Sequence, residues 1–103
     1  GAPGIALGCA SPATFKSTTR AETVSVAPGD LVLLYTDGVT EAMDLNSDEY
    51  GEARLIALAK RLSISGATAA AVIDTILADV NAFVGRAPQH DDITLVAIRV
   101  AGP

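Results

Sequence analysis

Gly29-Asp-Leu-Val-Leu-Leu-Tyr-Thr-Asp-Gly-Val-Thr-Glu-Ala42 carries an apolar run that stops abruptly on an acid and a glycine. From Leu31 to Tyr35 every residue is apolar or aromatic. A run of that kind, without alternation, predicts a central strand of a layered domain with both faces covered. The preceding Ala-Pro-Gly-Asp at 27–30 is a turn: Pro28 presets its φ and Gly29 accepts a positive one. A second acidic step stands near the other end, in Pro88-Gln-His-Asp-Asp-Ile-Thr-Leu-Val-Ala-Ile-Arg-Val100. There Asp91 and Asp92 come directly before another apolar strand, Ile93–Val100.

Working outward, residues 1–13 are rich in Gly and Pro and read as an irregular lead-in. Phe15–Val26, rich in Thr, Ser and Val, reads as a half-exposed strand that forms a hairpin with Leu31–Thr36. Met43–Gly51 is an acidic, turn-rich loop. Between Glu52 and Leu62 the spacing of Leu55, Leu58, Ala59 and Leu62 is that of one helix face, with Arg54, Lys60 and Arg61 on the solvated side. Thr68 or Ser65 is placed to cap a second helix, whose apolar stripe is Val72, Ile73, Ile76, Leu77, Val80, Phe83 and Val84. Gly85 is placed to end it. The predicted order is β-β-α-α-β.

The 103 residues fit one domain at most, with 50% hydrophobic and 18% charged residues against a usual figure of about 25% charged. Apolar material is ample, and the surplus predicts a surface that expects a partner. A net charge of −5 argues against nucleic-acid binding, and no run of apolar residues is long enough to span a membrane. The lone Cys9 makes no internal disulfide and fits a reducing, cytoplasmic compartment.

The two acidic steps have a geometric consequence. The strand ending at Thr36 delivers Asp37 to a sheet edge, and two antiparallel helices return the chain to that edge. If the strands are antiparallel neighbours, Asp37 meets Asp91 or Asp92 across 54 or more positions of sequence. Converging carboxylates repel unless something positive lies between them, and oxygen donors suit a hard divalent cation. Adjacent strand residues point to opposite faces, so only one of Asp91 and Asp92 serves as a direct ligand. Read on spacing alone, a simple Asp-Gly turn and a solvated strand start remain open.

The same three segments, GDLVLLYTDGVTEA, YGEARL and APQHDDITLVAIRV, together with GIALGCASPATF at the start, resemble the carboxy-terminal half of bacterial PPM-type metal-dependent serine/threonine phosphatases. The nearest branch is the one related to sporulation stage II protein E and to stress-response sigma-factor control. The resemblance covers about residues 4–100. It implies an α+β fold, an antiparallel β-sandwich flanked by helices in α-β-β-α layers. It also implies a centre of two Mn²⁺ or Mg²⁺ ions that activates a water for in-line attack on phosphorus. Matched residue by residue, Asp37 and Asp91 are metal ligands and Gly38 is the turn glycine. Asp92 is an outer or strand-capping group, and Glu41 is placed to orient a water.

The family's first acidic motif has no counterpart in these residues, so the chain reads as a partial phosphatase domain spanning 1–103. The resemblance further implies as substrate a phosphorylated regulatory protein, of the anti-anti-sigma-factor kind. The missing amino-terminal half or a second copy of the chain is the expected structural partner. The alternative is a non-catalytic module that binds regulators. A haloacid-dehalogenase reading of TDGVT is set aside, because that chemistry needs a second acid where Val39 stands.

Overall fold

A computed structural model describes residues 5–9 (backbone only), 28–88 and 92–101. Three strands form one sheet in the order β1 (Ile5–Cys9), β2 (Leu31–Tyr35), β3 (Leu95–Arg99). The helices are α1 (Asp37–Thr40), α2 (Glu52–Ile64) and α3 (Ala69–Val84). Strand β2 is central: it runs parallel to β1, with Ile5 opposite Leu31, and antiparallel to β3, with Leu31 opposite Arg99 and Tyr35 opposite Leu95. The fold is α+β, as the sequence predicts.

The turn before β2 closes as its residues require. Gly29 has φ 90°, a left-handed value that glycine adopts without a steric penalty. Its N–H donates to the Val100 carbonyl at 2.8 Å, and the Val100 N–H returns a bond to Asp30 at 2.9 Å. The Leu31–Arg99 end of the β2–β3 ladder is thereby fixed.

Leu31, Leu33 and Tyr35 of β2 are buried on the face that the helices cover. Against them lie Leu55, Leu58 and Ala59 of α2 and Val72, Ile76 and Val80 of α3, with Leu62 and Phe83 partly buried at the margin. The helical spacing predicted for both segments is the spacing observed. Helix α3 begins where the Thr68 hydroxyl accepts the Ala71 N–H at 3.2 Å, a side-chain cap that satisfies a donor the helix cannot. Ser65, the other candidate, donates its hydroxyl to the Leu62 carbonyl and closes α2 instead.

Three expectations need correction, and a fourth falls on residues that are not described. The Gly- and Pro-rich lead-in contains a strand, β1: Ile5-Ala-Leu is an apolar run masked by the turn-forming residues around it. Phe15–Val26 lies outside the described residues. The neighbours of β2 among the described strands are β1 and β3. The second face of β2 is incompletely covered. Val32 and Leu34 are half-buried, and beside them Val96 and Ile98 of β3 are 41% and 49% exposed. Finally, the chain does not turn sharply at Gly38. It enters α1, where Gly38 is buried and keeps out of the positive-φ region.

Tyr50, at the start of α2, is 2% exposed and joins the two long helices. Its hydroxyl donates to Asp79 Oδ2 of α3 at 2.5 Å, and its ring meets Phe83 edge-on at 5.7 Å between centroids. The Arg54 guanidinium covers the Phe83 ring at 4.4 Å. Burial, and then the bond to Asp79, push the Tyr50 hydroxyl well above the ordinary tyrosine range. A raised folded-state pKa gives stability that is complete below the unfolded value and declines as pH rises past it. Denaturant titrations of the intact protein should therefore show stability falling above about pH 10, the ordinary tyrosine value. In Tyr50→Phe that alkaline decline should flatten, at a cost near neutral pH of about 1–2 kcal/mol for the lost charge-assisted bond.

Candidate metal centre

Strand β2 ends at Tyr35, and the next residue builds the edge. The Thr36 N–H donates to the Thr94 carbonyl at 3.1 Å, one step beyond the last strand pair. Thr36 Oγ1 accepts the Thr94 N–H at 3.1 Å and donates to the Asp92 carbonyl at 3.4 Å. Thr36 is buried, so this hydroxyl latches the end of β2 to the approach of β3 out of reach of bulk water. It stands at the N-cap position of α1 with extended backbone, yet makes no side-chain cap. Its hydroxyl is spent across the sheet edge instead.

Asp37 follows directly, exposed, as the first residue of α1. Its carbonyl accepts the Glu41 N–H at 2.8 Å and the Thr40 hydroxyl at 3.4 Å, so the backbone under the carboxylate is held. Glu41, exposed, ends α1. Asp92 is exposed on the adjoining segment, engaged through its backbone carbonyl. Asp91 and His90 lie outside the described residues. The antiparallel neighbourhood of β2 and β3, on which convergence of the two acidic steps depends, is present.

The donors at this edge are oxygen atoms, the kind that Mg²⁺ and Mn²⁺ prefer. Among the described residues no group of three or more His, Cys, Asp or Glu is placed to hold a metal. The edge fits a hard cation in chemistry, and its described residues by themselves offer fewer ligands than such an ion takes.

Residues 1–101 match the family described as stage II sporulation protein E (SpoIIE). The chain belongs to the SpoIIE family. It is also similar to Protein IcfG of Synechocystis sp. (strain ATCC 27184 / PCC 6803 / Kazusa), 28% identical over 82 residues. That match covers 80% of this chain and 12% of IcfG, so the chain spans a small part of that relative's length. No solved structure matches it significantly. The resemblance read from the two acidic steps is thus borne out at the level of the family, one of PPM-type phosphatases. Among the described residues of this SpoIIE-family chain, no helix is long and apolar enough to cross a membrane.

Sequence reasoning missed Thr36. The available signal was a hydroxyl ending an apolar strand next to an acid, a place where a strand's last side chain has a polar neighbour to satisfy. Thr36→Val removes the hydroxyl at nearly constant volume and leaves the Thr94 N–H without its acceptor. In the intact SpoIIE-family protein this should cost about 1–2 kcal/mol in thermal or chemical denaturation. It should also weaken Mn²⁺ binding about 10-fold by calorimetry, in the range for an outer support of a metal ligand.

Proposed function

We propose that this chain is the carboxy-terminal part of a Mn²⁺- or Mg²⁺-dependent phosphatase domain that hydrolyses phosphoserine or phosphothreonine on a regulatory protein. The observation that carries the proposal is the Thr36 latch, which joins the segment before Asp37 to the segment containing Asp92 at one sheet edge. Asp37 and Asp91 would contribute carboxylates to the metals, and Asp92 and Glu41 would act around them. When bound, such ions supply an activated water and neutralise charge on phosphoryl oxygens. The protein's own part is positional. The latch fixes the strand ends, α1 holds the backbone under Asp37, and the ladder between β2 and β3 sets the spacing of the two acidic segments.

The half-covered sheet face of Val32, Leu34, Val96 and Ile98 is the surface we assign to the rest of the domain, which brings the first acidic motif. A protein-sized core needs that face covered, since each large side chain buried there contributes about 1.5–3 kcal/mol. The regulatory-protein substrate and a role in sigma-factor control are part of the proposal, supported by the family and its two acidic motifs.

One experiment separates this reading from a self-sufficient enzyme. The 103 residues alone should hydrolyse p-nitrophenyl phosphate at the background rate and bind Mn²⁺ weakly, whereas the intact protein should turn the substrate over. Full-rate hydrolysis by the isolated chain would rule the partial-domain reading out.

A further inference from the structure

Helix α1 carries Asp37 and is four residues long. A helix that short does not persist by itself, since isolated helices below about 12–15 residues are marginal in water. Its conformation is imposed from outside, and the supports can be traced. On the inner side, Val39 is fully buried in the core. At the entry, Thr36 latches the end of β2 to the segment containing Asp92. At the exit, two consecutive backbone donors close on the helix. The Gly51 N–H donates to the Thr40 carbonyl at 2.9 Å, and the Tyr50 N–H to the Ala42 carbonyl at 2.7 Å. Thr40 is the last residue of α1, about 4.5 Å along the axis from Asp37. A shift of these two donors therefore reaches Asp37 almost undiminished.

The exit support has a mooring of its own. The Tyr50 side chain is buried, its hydroxyl donates to Asp79 Oδ2 at 2.5 Å, and its ring meets Phe83 edge-on. Both partners belong to α3. The residue whose backbone closes α1 thus grips the longest helix with its side chain. Joining two long helices would need the side chain alone. The donors to Thr40 and Ala42 are what connect that grip to the candidate centre.

We propose that Tyr50 is a positioning residue for the candidate metal centre: moored on α3 by Asp79, it holds α1 where the Asp37 carboxylate meets the ions. The proposal rests on the phosphatase reading of the Asp37 edge and adds to that site a second support, at the other end of α1 from Thr36. Tyr50 acts through α1 and touches neither metal nor substrate. Loss of a group that directly orients a metal ligand costs about 10–100-fold in affinity or activity. Tyr50 acts at one remove, so its effect belongs at or just below the low end of that range.

The test uses the intact protein. Mn²⁺ binding is measured by calorimetry, and p-nitrophenyl phosphate hydrolysis is followed against Mn²⁺ concentration, well below the melting temperature of every variant. Tyr50→Phe keeps the ring and both backbone donors and removes the bond to Asp79. Asp79→Ala removes the same bond from an exposed position, where no core packing is lost. Each should weaken Mn²⁺ binding by about 5–10-fold and raise the Mn²⁺ concentration for half-maximal rate by the same factor. KM for p-nitrophenyl phosphate should stay within about 2-fold of wild type, because substrate binding itself is untouched. The double variant should be no worse than either single one, since both remove one shared bond. Arg99→Lys, which lowers stability comparably at the far end of β2, should leave Mn²⁺ affinity within about 2-fold of wild type. Unchanged affinity in either single variant, additive losses in the double one, or equal weakening in Arg99→Lys overturns the positioning role while the phosphatase reading stands. A wild-type protein that neither binds Mn²⁺ nor hydrolyses p-nitrophenyl phosphate overturns the phosphatase reading, and this proposal with it.

Discussion

Asp37→Asn in the intact protein should lower turnover of p-nitrophenyl phosphate by more than two orders of magnitude while the melting temperature stays within a few degrees of wild type. Asp37 is exposed rather than part of the core, and the amide keeps the carboxylate's shape. The backbone bonds from Glu41 and Thr40 to the Asp37 carbonyl do not depend on side-chain charge. On the proposed reading, what changes is one negative oxygen donor to a divalent cation. Loss of an outer support for a metal ligand costs about 10–100-fold, and loss of the ligand itself should exceed that. Activity retained within 10-fold would mean that Asp37 is only a solvated helix-start acid.

Arg99→Met should have the opposite signature, a large loss of stability with little change in turnover per folded molecule. Arg99 lies opposite Leu31, at the far end of β2 from Asp37, about 14 Å along the strand. Its guanidinium donates to the carbonyls of Gly29 at 2.7 Å, Leu62 at 3.1 Å, Ser63 at 3.4 Å and Ala67 at 2.8 and 3.1 Å. Leu62 and Ser63 are last-turn carbonyls of α2, which also accept the Ala67 and Gly66 N–H groups, each at 3.2 Å. One side chain thus fastens the turn before β2, the C-terminus of α2 and the linker into α3. Met keeps the length of the stem and removes every donor, at a cost of about 3 kcal/mol. A loss of that size lowers the melting temperature by roughly 6 °C or more. Arg99→Lys should recover less than half, because a single ammonium lacks the planar fork that spans several acceptors.

The two helices were legible in the sequence because their apolar positions repeat at the helical period and their ends carry local chemistry, Thr68 before α3 and Gly85 after it. Strand β2 was legible from its unbroken apolar run, and its antiparallel pairing with β3 stood in the sequence only as a condition, compatible with two long helices between them. The short strand β1 was not, because the alternation that marks a strand is absent from five residues embedded among Gly and Pro. Helix α1 was hidden for a related reason. Asp-Gly is so common in turns that a single buried helical turn at that point leaves no periodic trace. Arg99 looked like the last polar residue of an apolar strand, and nothing local reveals that its partners lie more than thirty positions away. Nothing around Tyr50 in the sequence shows that Asp79, 29 positions on in the other long helix, supplies the acceptor for its hydroxyl. Contacts set by the period of a single element can be read from one segment, whereas these bonds join segments that only the fold brings together.

At the candidate centre the division is similar. Asp37, Gly38 and Glu41 were found as a cluster because they adjoin in sequence. The latch that ties them to Asp92 was not, since a threonine gives no sign of where its hydroxyl points. Thr36 now supplies the physical link between the two acidic steps.

The most direct measurement is a crystal structure of the intact protein with Mn²⁺, with the ion located by its anomalous signal. The expected result is a manganese peak within about 2.0–2.3 Å of carboxylate oxygens from both Asp37 and Asp91. Manganese held elsewhere with neither carboxylate, or the two side chains on opposite sides of the sheet, would contradict it.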